Sequence, residues 1–381
     1  TNFPPDNSVI VPKGAGVRTT RLERDREAFS VVGQFESADG RLVATAEWLR
    51  ADTQFFTDEY FIQALVNNDA GFPIERAGNE WTFKNGLFQT GTLTQIGGDS
   101  GLSPWGGLPT ELVHFQRLTD SKTEDFSFDA SFQPSDRLRL NFELQHITSA
   151  LRQDSIIGAM NTFSDLMIDN TGSTPEVQFI TPVGAPEGIY NDPDYTYYWF
   201  LLDSYARNEG KLNSVRFDAE YDVGDGFLKG FRFGTRWAER ARITRDTNFQ
   251  NWGTLGAPWT GRGGNWNCAD PQVYGCGGAY AGDFPQVSNY ITPFAEDFQR
   301  GNVDVPIQNG GGFFFGGDDF IGDYLNGTVT EQAQALTAWS FPEFLPEQWT
   351  PMPEGFTEGQ ISDVEELTGA FYARVDYGTN F

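Results

Sequence analysis

No run of eighteen or more apolar residues occurs anywhere in the 381 residues, so the chain encodes no transmembrane helix. That leaves a membrane β-barrel open, because a barrel strand needs only about ten residues of alternating character. Positive charge is scarce. Lys and Arg total 26 against 53 Asp and Glu, a formal net charge of −27, with a pI near 4.3. This argues against nucleic-acid binding, which needs a basic patch to meet phosphates. Cysteine and histidine number two each. Two cysteines do not fill a four-ligand zinc site, and neither His114 nor His146 lies near Cys268 or Cys276 in sequence. The start, TNFPPDNSVIVPKGAG, lacks the basic residues and apolar core of a signal peptide. It reads as a mature chain, a cytosolic one, or a piece of something longer. No nucleophile elbow, P-loop or zinc helix is present, and no enzymatic activity is expected.

Aromatic residues and glycine are abundant. Aromatics make up 15%, Phe alone numbers 34, and Gly numbers 43. With a mean hydropathy of −0.43, this is not a disordered composition, which is poor in aromatics. It suits an all-β protein with many turns and long ordered loops. Cys268 and Cys276 stand close together in a Gly-rich stretch, NWNCADPQVYGCGGAY. Their even count and short spacing point to a local disulfide and an oxidising compartment.

The alternation is clearest from Leu212 to Arg242. Val215, Phe217, Ala219, Tyr221 and Val223 share one face, opposite Ser214, Arg216, Asp218, Glu220 and Asp222. After Gly224-Asp225-Gly226, Phe231, Phe233, Thr235 and Trp237 oppose Arg232, Gly234, Arg236, Ala238 and Arg240. A period of two means β-strand, and the Gly/Asp turn makes the pair a hairpin. The same pattern predicts hairpins near 28–50, around Ser37-Ala38-Asp39-Gly40, and near 125–150, around Pro134-Ser135-Asp136-Arg137. A further strand is predicted over 367–377. Between them lie long loops, 51–121, 155–210 and 246–363. Compact soluble domains rarely carry structureless loops beyond about 15 residues. Short turns alternating with long loops are what transmembrane barrels show. The expected fold class is therefore all-β, a transmembrane antiparallel β-barrel with short periplasmic turns and long extracellular loops. Its aromatic face would meet outer-membrane lipid and its charged face a wet or plugged lumen, with Trp48, Phe55, Phe56 and Trp237 as girdle candidates.

The loops supply the candidate site. Tyr195, Tyr197 and Trp199 follow Asn191-Asp192-Pro193-Asp194, and Trp252, Trp259 and Trp266 lie in a Gly/Asn-rich run. Rings beside Asn and Asp suit a sugar, since a ring stacks on the pyranose while polar groups bond its hydroxyls. Such rings also build the small cores that keep long loops ordered. Asp192, Asp194, Asp318 and Asp319 are candidate calcium ligands, although no twelve-residue binding loop is present. No cofactor is expected.

Several stretches carry a family resemblance. Arg24-Asp25-Arg26-Glu27 leads into the first strand, PSDRLRLNFELQHITS follows a turn, and ARNEGKLNSVRFDAEYDV precedes FLKGFRFGTRWAERAR; FQNWGTL and LTGAFYARVDYG come later. In order and spacing these resemble the barrel portion of a TonB-dependent outer-membrane receptor, of the large-loop type found in sugar-scavenging Gram-negative bacteria. The resemblance covers the strand regions, and the loops match loosely. It implies a 22-stranded barrel, of which about seven strands are here, closed by an N-terminal plug. That plug carries the box pulled by the inner-membrane energising complex, and it is absent from this sequence, which reads as a partial chain. The implied function is energy-coupled uptake of a large nutrient, an oligosaccharide, with a surface lipoprotein as a further partner. A passive porin and a secreted β-sandwich that binds or hydrolyses glycans stay open as alternatives.

Overall fold

The structure is a computed structural model, and it describes residues 8–65, 72–95, 105–224, 226–256, 279–284, 290–291, 306–340 and 355–378. Its frame is a meander of long strands: β1 (Gly14–Glu36), β2 (Leu42–Leu65), β3 (Leu108–Ser135), β4 (Leu138–Asp169), β5 (Tyr197–Asp222), β6 (Leu228–Arg245) and β7 (Ile361–Tyr377). Each is antiparallel to the next in sequence. Short strands, among them Leu87–Thr94, Glu176–Ile180 and Asn251–Thr254, widen one end and bring the sheet to 12 strands. Among the described residues the sheet is not closed, and β1 and β7 are its two edges.

The connections differ sharply between the two ends. At one end residues 37–41, 136–137 and 223–227 close the hairpins; at the other run 66–107, 170–196 and 246–360. In the first turn Ser37 donates through Oγ to Asp39 at 2.6 Å, and the same Oγ accepts from Leu42 N at 2.9 Å. Gly40 there takes a φ of +68°, a left-handed conformation that costs glycine little.

The strands run well past the hairpins the alternation predicts. Residues 51–65, 108–121, 155–169 and 197–210, expected in loops, are strand. The physical reason is that the distal halves do not alternate apolar with polar. Ile156-Ile157-Gly158-Ala159-Met160 is a continuous apolar run, and Arg18 to Arg26 is polar on both faces except for Leu22. Period-two reasoning recognises only strands whose two faces meet different surroundings.

The distal half of one face carries the core. In an antiparallel pair, residues in register share a face. Tyr60, His114, Gly158 and Leu201 form one row across β2, β3, β4 and β5. Onto it pack Phe313, Phe314 and Phe315, helix α1 (Phe320–Leu325) and helix α2 (Thr328–Ser340), with Ile62, Leu112, Ile156 and Met160. His114 fastens this layer to the sheet. It is fully buried, stacked 4.4 Å from Tyr60 and 5.0 Å from Phe320 by ring centroids. Its Nδ1 lies 2.9 Å from Phe315 O and its Nε2 3.0 Å from Asp58 Oδ1. Gln116 donates to Asp58 and to Asp318 O, and its Oε1 accepts from Ile321 N. Gly158 must be small, since a Cβ there would stand 2.7 Å from Phe315 Cδ1.

Candidate functional site

Among the described residues the turn-proximal half of the sheet is a single layer with two unlike faces. Register places Val31, Gly33 and Phe35 of β1 in rows with Trp48, Ala46 and Ala44 of β2, and Phe29 one row further on, opposite Arg50. The rows continue through Phe126, Phe128, Ala130 and Phe132 of β3 and Leu140, Phe142 and Leu144 of β4. They end in Val215, Phe217, Ala219 and Tyr221 of β5, Phe231, Phe233 and Trp237 of β6, and Phe371, Ala373 and Val375 of β7. Among them Phe29, Phe35, Phe126, Phe132, Phe231, Phe233 and Phe371 are exposed. With strands about 4.8 Å apart and residues about 3.4 Å apart, this apolar band covers roughly 700 Å². Soluble monomers rarely expose a contiguous apolar patch beyond about 300–600 Å². Trp48 and Trp237 close the band on its distal side, where Arg50 and Glu239 follow on the same face. Phe55 and Phe56 do not belong to it. Phe55 lies on the other face under Arg24, 4.5 Å from its guanidinium carbon, and Phe56 packs against the distal core.

The opposite face is polar, and its charges pair across strands. Arg216 meets Glu143 at 3.4 Å and Asp218 at 2.7 Å; Asp218 also accepts from the Tyr372 hydroxyl at 2.6 Å. Arg232 bridges Glu220 at 2.9 Å and Asp376 at 3.5 Å. The arginines of these pairs are open to solvent, and each pair stabilises by about 0–1 kcal/mol. Their effect is to neutralise the lattice in which Arg216 and Arg236 stand directly opposite, as do Arg232 and Arg374.

A cleft of about 620 Å³ opens on this polar face, just distal to the level at which the apolar band ends on the other side. Ile147, Leu151 and Leu212 floor it, and Arg240 and Arg242 stand at its rim. Ser149 and Gly210 are partners in register at its centre, where a Cβ on Gly210 would stand 2.6 Å from the Ser149 hydroxyl. The sequence showed the arginines on a polar face but not what faced them, because that depends on cross-strand register.

The expected aromatic site is not assembled as one surface. Tyr197 is fully buried, packed with Phe163 and Tyr280. Its place is in an internal core, which corrects the expectation that it touches ligand. Trp199 leans on that same cluster, 5.0 Å from Phe200 by ring centroids. Tyr195 is half-buried and lies 5.6 Å from Trp105. Trp252 is exposed, 6.0 Å from Phe200, on the polar face at the distal end. Trp259, Trp266, Cys268 and Cys276 lie outside the described residues. Of the candidate calcium ligands, Asp192 accepts from Asp194 N at 3.0 Å and Asp319 caps α1 by accepting from Gly322 N at 3.1 Å. Asp318 accepts through its backbone carbonyl. Among the described residues no three or more His, Cys, Asp or Glu side chains gather as a metal site. Tyr324 of α1 donates to Asp203 at 2.9 Å, and burial, reinforced by the Asp203 carboxylate, pushes its phenol well above the ordinary value.

No family model and no curated protein matches the chain. Among solved structures, the crystal structure of Pseudomonas aeruginosa OccK10 (OpdN) aligns over 61% of this chain and 92% of that chain, at 10% identity and a TM-score of 0.07. A likeness that slight carries no argument.

Proposed function

We propose that this chain is wall from a transmembrane β-barrel of a Gram-negative outer membrane, and that the barrel is an energy-coupled, TonB-dependent receptor importing an oligosaccharide. The observation that carries the membrane reading is the single-layer half of the sheet, apolar across β1 to β7 on one face and ion-paired on the other. Water on both sides of such a layer leaves the aromatic band unburied; lipid on one side and a wet lumen on the other satisfies both faces. The band takes only the turn-proximal part of each strand. The 32 residues of β4 extend about 105 Å at 3.3 Å each, far beyond a hydrocarbon core of about 30 Å. The distal half then stands outside the bilayer, where its loop layer is in water. Energy coupling through a plug, the oligosaccharide cargo and a surface lipoprotein partner rest on the sequence resemblance. In this role the chain binds and moves its cargo without covalent chemistry.

One observation favours a second reading. The distal half of the aromatic face is already covered by protein, by Phe313–Phe315 and the two helices. In a soluble β-protein the rest of that face would be covered likewise, by protein. Flotation separates the two readings. Purified protein refolded with phospholipid vesicles is centrifuged through a density gradient. Co-migration with lipid after a carbonate wash supports the barrel, and a protein that stays at the bottom as a detergent-free soluble monomer overturns it.

A further inference from the structure

The polar-face cleft brings together two arginines without ion pairs among the described residues and a cluster of aliphatic side chains. Nearer the turns, Arg216, Arg232 and Arg374 of that face are ion-paired with Glu143, Asp218, Glu220 and Asp376, while Arg236 stands opposite Arg216 without an ion pair among the described residues. At the cleft, Arg240 and Arg242 have no hydrogen bond or ion pair among the described residues, and both are exposed. Arg242 stands in register with Gly210 and Val364, so no carboxylate lies beside it in its row. Arg240 faces Leu212 on one side and Glu366 on the other, and no ion pair within 4 Å joins it to Glu366. In a chain of net charge −27, two adjacent guanidinia that make no ion pair among the described residues stand against the prevailing balance, although Glu209 also lines the cleft.

The floor between them has its own character. Ile147, Leu151 and Leu212 form an aliphatic cluster on a mostly polar face, and Ser149 with Gly210 keeps the middle low. A purely solvated wall has no need of aliphatic residues there. A ligand with apolar C–H faces and projecting oxyanions fits both parts. The guanidinium fork binds carboxylate bidentately, and two arginines two residues apart on one face sit about 7 Å apart.

We propose that this cleft binds an acidic oligosaccharide, with the carboxylates of neighbouring uronate units on Arg240 and Arg242 and the pyranose C–H faces on Ile147, Leu151 and Leu212. This rests on the reading of the polar face as a lumen wall, and it narrows the cargo from oligosaccharides in general to acidic ones. The test is binding of trigalacturonic acid and of neutral galactotriose to the full chain in detergent, by microscale thermophoresis at two salt concentrations, with flotation of the same preparation in parallel. The acidic trimer is expected to bind at least tenfold more tightly than the neutral one and to weaken with salt. R240Q/R242Q should lose that tenfold preference, and R240K/R242K should retain part of it. Inorganic sulfate is expected to compete only weakly, because it cannot use the aliphatic floor. Equal affinity for the two sugars, no binding of either, or a double Gln variant indistinguishable from the parent overturns the proposal. Equal displacement by sulfate and by the trimer overturns it as well, leaving a simple anion site. Binding retained without flotation would overturn the barrel reading and keep the cleft.

Discussion

Phe142 and Asn141 are adjacent in sequence and face opposite ways, so one substitution at each tests which face meets lipid. Phe142 lies near the middle of the apolar band. Its neighbours in register are Ala130 and Phe217, and its ring centroid is 6.3 Å from that of Phe128. It is four residues from the start of β4 at Leu138, about 14 Å along the strand. With barrel strands tilted about 45°, that is about 10 Å into the hydrocarbon. An arginine there is expected to cost about 2–4 kcal/mol, the range for a lipid-facing cation at mid-depth. Asn141 pairs in register with Ser131 and Asp218. An arginine at 141 gains a carboxylate neighbour, and the change should stay within about 1 kcal/mol. The assay is guanidinium unfolding of the protein in thin-bilayer vesicles, followed by tryptophan fluorescence, comparing F142R and N141R with the parent. A gap of about 2 kcal/mol or more in favour of N141R is expected. Equal costs at the two sites, or a larger cost at Asn141, would refute the assignment of the faces.

Two further predictions concern the distal layer. G158V places branched carbons against Phe315 and Phe320 and should cost about 1–3 kcal/mol by overpacking; hydrogen exchange over residues 313–325 should quicken while the turn-proximal strands keep their protection, and unchanged exchange there would count against the packing described. H114F keeps the ring stack with Tyr60 and Phe320 but removes the bonds to Asp58 and Phe315 O. Stability should fall by about 1–3 kcal/mol, the cost of leaving a largely buried carboxylate and the Phe315 carbonyl short of a partner. A variant as stable as the parent would show that stacking alone holds the layer.

The sequence made the turn-proximal half readable because its two faces differ. Phe126 to Phe132 and Leu138 to Leu144 alternate without exception, and the structure places them in paired strands closed at residues 136–137. The distal half was not readable for the converse reason. Tyr60, His114 and Ile156 are covered by residues some 150 to 260 positions away in the chain, so the local pattern does not show that they are strand. The site divided in the same way. Aromatic clustering singled out Trp252, which is exposed, and Tyr197, which is buried, alike, because a ring that orders a loop has the same composition as a ring that meets a sugar. Arg240 and Arg242 were visible as charges. That Arg242 has no carboxylate beside it depends on Gly210 and Val364 being its neighbours, and register alone supplies that.

The unequal ends of the meander also set an order of assembly. Each hairpin, β1–β2, β3–β4 and β5–β6, closes through a handful of residues and needs no distant contact to form. Joining one hairpin to the next requires closing 66–107, 170–196 or 246–360. Closure entropy grows slowly with length, about 0.6 kcal/mol for each doubling, so closing 246–360 costs only about 1 kcal/mol more than closing 170–196. The slow element is therefore the distal layer contributed by 306–340, which can dock only on a row already laid down by β2, β3, β4 and β5. Stepwise acquisition is the natural route: hairpins first, sheet second, lid of helices and phenylalanines last. Insertions in the long connections should be tolerated far better than any lengthening of the two residues between β3 and β4.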